Sequence, residues 1–275
     1  MKAASFAYVK PKTLSQVFTL LESEPEAKLL AGGQSLMPML NLRLADVPLL
    51  IDLGAITGLN VISIKNNILS IGAMVRHVEI ENSNVIAKYA PLLSKSVHSV
   101  AHTAIRNRGT IGGSVALADP AAEYPAVLLA LNATMVLNSK SGERRVAAID
   151  FFEGIYATAI QEGEVLTSIN IPLYENSRFA FHELARRHGD YAQCGLAAFR
   201  EGSNLNLSYF SMSYKPVLAM NAASALLNGQ SLTQAQAALG DDLDPADQLD
   251  CSAKAKMQFA RVLLKRAALE LGFSA

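Results

Sequence analysis

The chain has 275 residues, more than one average domain needs, so two domains are expected. It is 51% hydrophobic and 17% charged, with 24 basic residues against 24 acidic ones and a formal net charge of zero. This balance lacks the basic footprint of a nucleic-acid binder, and so apolar a chain points to a large core or a sizeable buried interface.

Thr13 is a good N-cap, and Leu14, Val17, Phe18 and Leu21 behind it share one helical face until Pro25 ends the pattern. Lys28–Ala31 reads as a short strand, Leu36–Leu44 as a helix capped by Ser35 with Pro38 in its first turn, and Leu49–Leu53 as a second strand. Val61–Ile64 and Leu69–Gly72 form a hairpin around Asn66-Asn67, a pair that tolerates the left-handed turn conformation. Val85–Val100 is helical, with Pro91 as an interruption or a junction between two helices. A second hairpin joins Ala133–Leu137 to Arg144–Ile149 around Ser141-Gly142, and the alternating strand Val165–Ile171 is stopped by Pro172. A domain boundary is expected at Pro172–Ser177, dividing the chain into 1–174 (lobes about 1–56 and 57–174) and 175–275. Beyond it come strands near 178–186, 193–199 and 205–214, helices at 221–227 and 233–239, and an acidic loop over 241–250. Ser252 then caps a final helix, whose apolar positions include Met257, Phe259, Val262 and Leu263. No internal repeat or low-complexity tract is evident.

Two glycine pairs stand out: Ala31-Gly32-Gly33-Gln34-Ser35-Leu36 after the strand residues Lys28, Leu29 and Leu30, and Thr110-Ile111-Gly112-Gly113-Ser114. Glycine lets a backbone approach a ligand closely, and consecutive free N–H groups at such a turn can face a phosphate. Taken singly, a glycine pair is as consistent with a plain turn as with a ligand loop. Two of them, far apart in sequence, would hold a diphosphate from both sides, which suits a dinucleotide. Neither matches G-x-G-x-x-G or G-x-x-x-x-G-K-[ST], which excludes the Rossmann and Walker readings. The N–H groups of Gly33, Gln34 and Ser35 would lie at a helix N-terminus, an anion site. Glu123 is placed to accept ribose or adenine hydrogen bonds; its plainer role is a first-turn helix carboxylate favoured by the dipole.

Cys194 and Cys251 have no pairing signature and are read as free thiols in a reducing cytoplasm; two cysteines cannot hold a zinc ion or an iron–sulfur cluster on their own. His98 and His102 stand four apart, but no third ligand accompanies them, so no metal site is expected. Arg186-Arg187 reads as a salt-bridged strand pair, or as a contact to a cofactor or partner. Met1–Ser5 opens without an apolar signal core, so no secretory peptide is expected. No apolar run reaches the ~18 residues of a membrane span.

Lys28–Pro38, Arg106-Asn107-Arg108-Gly109-Thr110-Ile111-Gly112-Gly113-Ser114 and Arg186-Arg187-His188-Gly189-Asp190-Tyr191-Ala192, in this order, resemble the FAD-binding medium subunits of molybdenum hydroxylases, the group of the carbon monoxide dehydrogenase and xanthine dehydrogenase flavoproteins. The resemblance covers nearly the whole chain. It implies an α+β fold: a two-lobed FAD-binding domain of the vanillyl-alcohol oxidase-like (PCMH) type, followed by a smaller α+β C-terminal domain with an antiparallel sheet and helices. It implies noncovalent FAD, with its diphosphate on Lys28–Leu36 and Thr110–Ser114. Glu123 would bind the adenosine half, Val100 and Leu166 would contact FAD, and Tyr191 would lie near the isoalloxazine. His182 stands where some relatives carry a flavin-contacting lysine. Gln34 replaces a common histidine and Ser114 a common asparagine, and no cysteine-rich insertion is present.

By the same resemblance, a large subunit holds the molybdenum cofactor and a small one two [2Fe–2S] clusters, assembled as a heterotrimer or a dimer of heterotrimers. Electrons would pass through the clusters to FAD and on to an external acceptor. No catalytic residue is expected on this chain itself. Two other readings remain open at this level: a stand-alone FAD oxidoreductase, against which the lack of an acid/base constellation speaks, and a flavin-free assembly subunit.

Overall fold

The computed structural model describes residues 2–274; Met1 and Ala275 lie outside the described residues. The N-terminal lobe is a three-stranded parallel sheet flanked by helices. It comprises β1 (Ala7–Val9), α1 (Leu14–Ser23), β2 (Lys28–Leu30), α2 (Leu36–Asn41) and β3 (Leu49–Asp52), with β3 between β1 and β2. Thr13 caps α1 by accepting from the Gln16 N–H, and Val17 is buried in the lobe's core. Ser35 precedes α2 but its hydroxyl makes no capping bond, because its backbone is already helical. The expected helix to Leu44 stops at Asn41, where Arg43 turns left-handed and the Leu44 N–H closes on the Met39 carbonyl at 2.9 Å.

After a 3-10 turn (Leu53–Ala55), the second lobe begins with β4 (Ile62–Lys65) and β5 (Ile68–Gly72), joined through Asn66 and Asn67, both at positive φ. Three short helices follow: α3 (His77–Glu81), α4 (Asn84–Tyr89) and α5 (Pro91–Ser96). Pro91 opens α5, where its missing N–H costs nothing, so it is a junction between helices. Next come α6 (Thr103–Arg106), α7 (Ile111–Leu117) and α8 (Glu123–Ala130). The hairpin β6 (Thr134–Ser139) and β7 (Gly142–Ala147) turns at Lys140-Ser141 rather than Ser141-Gly142, and Ile149 falls in the short helix α9 (Ala148–Phe151) instead of continuing β7. A small ribbon, β8 (Phe152–Gly154) and β9 (Ala157–Thr158), leads to β10 (Val165–Pro172). β10 is the central strand of an antiparallel sheet in the order β4-β5-β10-β6-β7. Its alternation is that of a strand with one face on the core, and Pro172 ends it.

The C-terminal sheet is β11 (Ser177–Ala185), β12 (Ala192–Glu201), β13 (Asn204–Phe210) and β14 (Val217–Leu218), antiparallel in that order. α10 (Met220–Leu227), α11 (Leu232–Asp242) and α12 (Ala253–Glu270) cover one face. Asp241 and Asp242 belong to α11 rather than to an acidic loop; the Asp242 carboxylate accepts from the N–H groups of Asn221 and Ala222 at 2.9 Å, satisfying the start of α10. Ser252 caps α12 through the Ala255 N–H. The sheet alternates between two cores. Cys194, Leu196, Ala198, Leu207 and Tyr209 face the helices, whereas Ala197, Phe199 and Phe210 enter the core built around β5, β10 and α8. Tyr209 is fully buried and its hydroxyl donates to the Ala260 carbonyl at 3.0 Å. Tyr209→Phe is expected to cost about 1 kcal/mol, a fall of roughly 2 °C in the melting temperature by calorimetry. No helix of the described residues is long and apolar enough to cross a membrane.

Candidate functional site

The two glycine segments meet. Gly32 lies so close to the second segment that a Cβ on it would sit 2.4 Å from the Arg108 carbonyl oxygen and 2.7 Å from Gly109 Cα. Here glycine serves contact of backbone with backbone more than approach of a ligand. A cleft of about 900 Å³ opens beside this junction, near the top of the roughly 300–1,000 Å³ range of small-molecule sites. Its walls include Lys28–Leu36, Val100, Thr110, Gly112–Ser114, Glu123, Leu166 and Tyr191, all singled out in the sequence. The loop Arg186–Tyr191 brings the C-terminal region to the same cleft.

The two segments offer different groups. Among the described residues, the N–H groups of Gly32, Gly33, Gln34, Ser35 and Leu36 have no protein acceptor, so this stretch presents a run of free donors. The Gln34 side-chain amide turns back onto the Gly32 carbonyl at 3.1 Å and holds the loop's shape.

The second segment departs from expectation. Gly112 and Gly113 lie in the first turn of α7, and the N–H groups expected to face a phosphate are used internally. Ile111 N–H donates to Val75 O at 3.0 Å, Gly112 N–H to Ala73 O at 2.9 Å, Gly113 N–H to Thr110 Oγ1 at 3.1 Å and Ser114 N–H to Thr110 O at 3.1 Å. What this side offers a ligand is hydroxyl: Ser114 Oγ lacks a partner among the described residues, and Thr110 accepts from Gly113 while its own proton remains to donate. The Ile111 side chain is wholly buried in the core and does not line the cleft. Thr110→Val should remove the cap of α7 and cost about 1 kcal/mol, read as a lower urea midpoint.

His182 also lies away from the cleft. On β11, Phe179 and Phe181 face the core of the second lobe, and Glu183 continues their phase, so His182 points the other way, to α12. There its Nε2 is 2.9 Å from Glu270 Oε1. The sequence reading missed His77, Asp119 and Tyr156 in the cleft wall, and Glu183, which lies near Glu123. Strand parity, with aromatic residues at 179 and 181, was the available signal for Glu183.

The polar floor is set by burial. Glu123, the first residue of α8, is pushed up to about 8 by burial, then by the nearby Glu183 and Asp119, against the pull of its own backbone N–H. Burial raises Glu183 to about 7. Glu123 is therefore mostly neutral at pH 7 and can donate a hydrogen bond as well as accept one. His77 is pushed down to about 4 by burial and by the Arg106 guanidinium, and stays neutral. At the rim, Tyr156 Oη reaches Asp119 Oδ2 at 3.4 Å, and Tyr191 is largely exposed.

Residues 4–174 match the family model described as the FAD binding domain in molybdopterin dehydrogenase, and residues 179–271 match the CO dehydrogenase flavoprotein C-terminal domain. The chain belongs to this flavoprotein family. The flavoprotein is 41% identical over 212 residues to the caffeine dehydrogenase subunit beta of Pseudomonas sp. (strain CBB1), covering 76% of this chain and 72% of that one. It is 32% identical over 280 residues to the glyceraldehyde dehydrogenase medium chain of Sulfolobus acidocaldarius, covering 98% and 100% of the two chains. Among solved structures, carbon monoxide dehydrogenase from Hydrogenophaga pseudoflava, in a form lacking the Mo-pyranopterin moiety, superposes with a TM-score of 0.94. It is 33% identical, over 98% of both chains. The flavoprotein is thus a medium, FAD-binding subunit of the molybdenum hydroxylase family, with the two-lobed FAD-binding fold and the smaller C-terminal domain that the sequence implied. The groups in its cleft fit FAD: five free N–H donors and a hydroxyl for a diphosphate, and a carboxyl with both donor and acceptor capacity for a ribose.

Proposed function

We propose that this chain is the FAD-carrying electron-transfer subunit of a molybdenum-containing hydroxylase or dehydrogenase. It takes electrons from [2Fe–2S] clusters in a small partner subunit and passes them to an external acceptor, while a large partner holds the molybdenum cofactor and oxidises the substrate. The observation that carries this reading is the run of unpartnered N–H groups at Gly32–Leu36 lining the same cleft as the Ser114 hydroxyl. Full-length similarity to a protein named a dehydrogenase medium chain supports a place among larger and smaller partners.

Within this reading, Gly32–Leu36 N–H groups and the hydroxyls of Thr110 and Ser114 hold the FAD diphosphate, noncovalently. Glu123 orients the adenosine half. Val100 and Leu166 contact the cofactor, and Tyr191 lies beside the isoalloxazine and limits water. FAD, when bound, supplies the redox chemistry, and the chain supplies position and shielding. His182 takes no part, since it faces Glu270 on the far side of β11. The domains run 1–174 and 175–275, with a lobe boundary near residue 56; the core between the C-terminal sheet and its helices, drawn only from residues after 175, supports the division into two domains. The buried thiols Cys194 and Cys251 suit a cytoplasmic location.

Native purification from the host tests the proposal, with the visible spectrum recorded alongside the masses of co-purifying chains. Flavin bands with iron–sulfur absorbance, a larger and a smaller partner are the expected result. Flavin without partners would point to a stand-alone oxidoreductase, and a colourless chain within a complex to an assembly subunit.

A further inference from the structure

Arg106 is a buried arginine outside the cleft wall, and all of its donors are used. Its Nε donates to Glu81 Oε2 at 2.9 Å and its Nη2 to Glu81 Oε1 at 3.3 Å and Thr103 Oγ1 at 3.4 Å. Its Nη1 donates to the carbonyls of Val100 at 3.2 Å and Ala101 at 3.3 Å. Ala101 is left-handed at φ +44°, a conformation that an alanine holds only where its surroundings fix it. The fork on its carbonyl is such a constraint.

That same carbonyl is the seat for the C-terminal loop of the cleft. Gly189, at φ +81°, packs so closely that a Cβ on it would lie 2.5 Å from Ala101 O and 2.9 Å from Ala101 C. Two residues on, Tyr191 stands in the cleft wall. A continuous line of contacts therefore runs from the Glu81–Arg106 ion pair through Ala101 to Gly189 and the loop that bears Tyr191. We infer that Arg106 is a positioning residue for the flavin cleft: by fixing the Ala101 carbonyl, it sets where the Arg186–Tyr191 loop closes over the site. The planar fork is essential, because a lysine ammonium has three donors radiating from one point and cannot reach Glu81 and both carbonyls together.

The loop supplies its own readout. Arg186 and Arg187 are exposed, so the rate of tryptic cleavage after them is expected to report how readily the loop lifts from its seat. In the purified full-length chain without FAD, Arg106→Lys and Gly189→Ala are each expected to speed cleavage after Arg187 about tenfold, followed by mass spectrometry of the fragments. Tyr209→Phe, which weakens the C-terminal core away from this line, should leave the rate unchanged. Cleavage of R106K at the wild-type rate, or equal acceleration in Y209F, would overturn the inference. Should R106K not fold, Glu81→Gln, which removes the charge facing Arg106, takes its place with the same expectation.

A second readout rests on the functional reading above, in which Tyr191 lies beside the isoalloxazine. A nearby tyrosine quenches flavin emission by donating an electron to the excited ring, so bound FAD should emit several-fold more strongly in R106K and G189A than in wild type or Y209F. If the wild-type chain binds no FAD, that reading fails while the proteolysis still decides the role of Arg106. If wild type binds FAD and the variants match it in both cleavage and emission, the role of Arg106 fails alone.

Discussion

Gly32→Ala is expected to abolish FAD retention, with at least a hundredfold loss of affinity, whereas Gly33→Ala should weaken binding far less. The difference lies in what each new methyl group meets. At Gly32 the three nearest atoms, Arg108 O, Gly109 Cα and Arg108 C, are all backbone, at 2.4, 2.7 and 3.0 Å. No side chain can rotate away, so the two glycine segments must separate, and the free N–H groups of one lose their position relative to Ser114 in the other. Overpacking of this kind costs roughly 1–3 kcal/mol in stability, and the displaced cradle is the larger loss. At Gly33 the neighbours are Met37 Cγ at 3.2 Å and Leu30 Cδ1 at 3.3 Å, both side-chain atoms that can yield. What remains is a left-handed φ of +71°, worth about 1–2 kcal/mol for a residue with a Cβ. Fluorescence titration with FAD and flavin content after desalting give the comparison. Wild-type affinity in Gly32→Ala would mean that the junction of the segments does not build the site.

The second large effect concerns pH. In the chain without cofactor, stability is expected to fall by about 2 kcal/mol between pH 6.5 and 8, and Glu123→Gln should remove most of that slope. Glu123 holds its proton up to about 8 in the folded state, well above its ordinary carboxylate value, chiefly because it is buried. Across this window the folded chain binds a proton that the unfolded chain has released. Raising the pH therefore favours unfolding, and the contribution is fully present only below the ordinary carboxylate range. Glu183, at about 7, adds a smaller part of the same sign. His77 acts oppositely. Its folded value of about 4 lies below its ordinary one, so it makes stability rise between about pH 4 and 6.5, which is why the comparison begins at 6.5. Urea midpoints at pH 6.5, 7.2 and 8 are the measurement. A wild-type midpoint that stays flat or climbs would show that the Glu123 carboxyl is ionised and solvated.

Elements governed by local chemistry were legible in the sequence. Thr13 and Ser252 cap the helices they were expected to cap, Asn66-Asn67 makes the turn, and Pro172 closes the central strand. Elements governed by tertiary contact were not. The glycines of α7 are poor helix formers, and the helix begins there because Ala73 and Val75 offer carbonyls to its first N–H groups. Every residue of α8 is buried, so it has no amphipathic period to find. Strand β1 is three residues long and mostly exposed. The cleft wall followed the same division. The glycine segments announce themselves by residue type and Glu123 by its place after the second of them, Leu166 and Tyr191 were legible only through the family resemblance, and the position of His182 away from the cleft depends on the phase of β11 against two cores. The internal use of the α7 N–H groups is invisible without the carbonyls that receive them.

The alternation along β12 and β13 has a consequence for biosynthesis. Phe199 and Phe210 complete a core whose other members lie mainly between Leu69 and Ile171, so that core stays open on one side until the ribosome has released the last of these strands. A nascent chain of the first 170 or so residues carries an exposed apolar wall, and N-terminal fragments made alone should aggregate rather than fold. The finished protein, stitched together through one sheet, should lose both halves in a single calorimetric transition. Truncating mutations late in the reading frame would then eliminate the flavin site as surely as those within it.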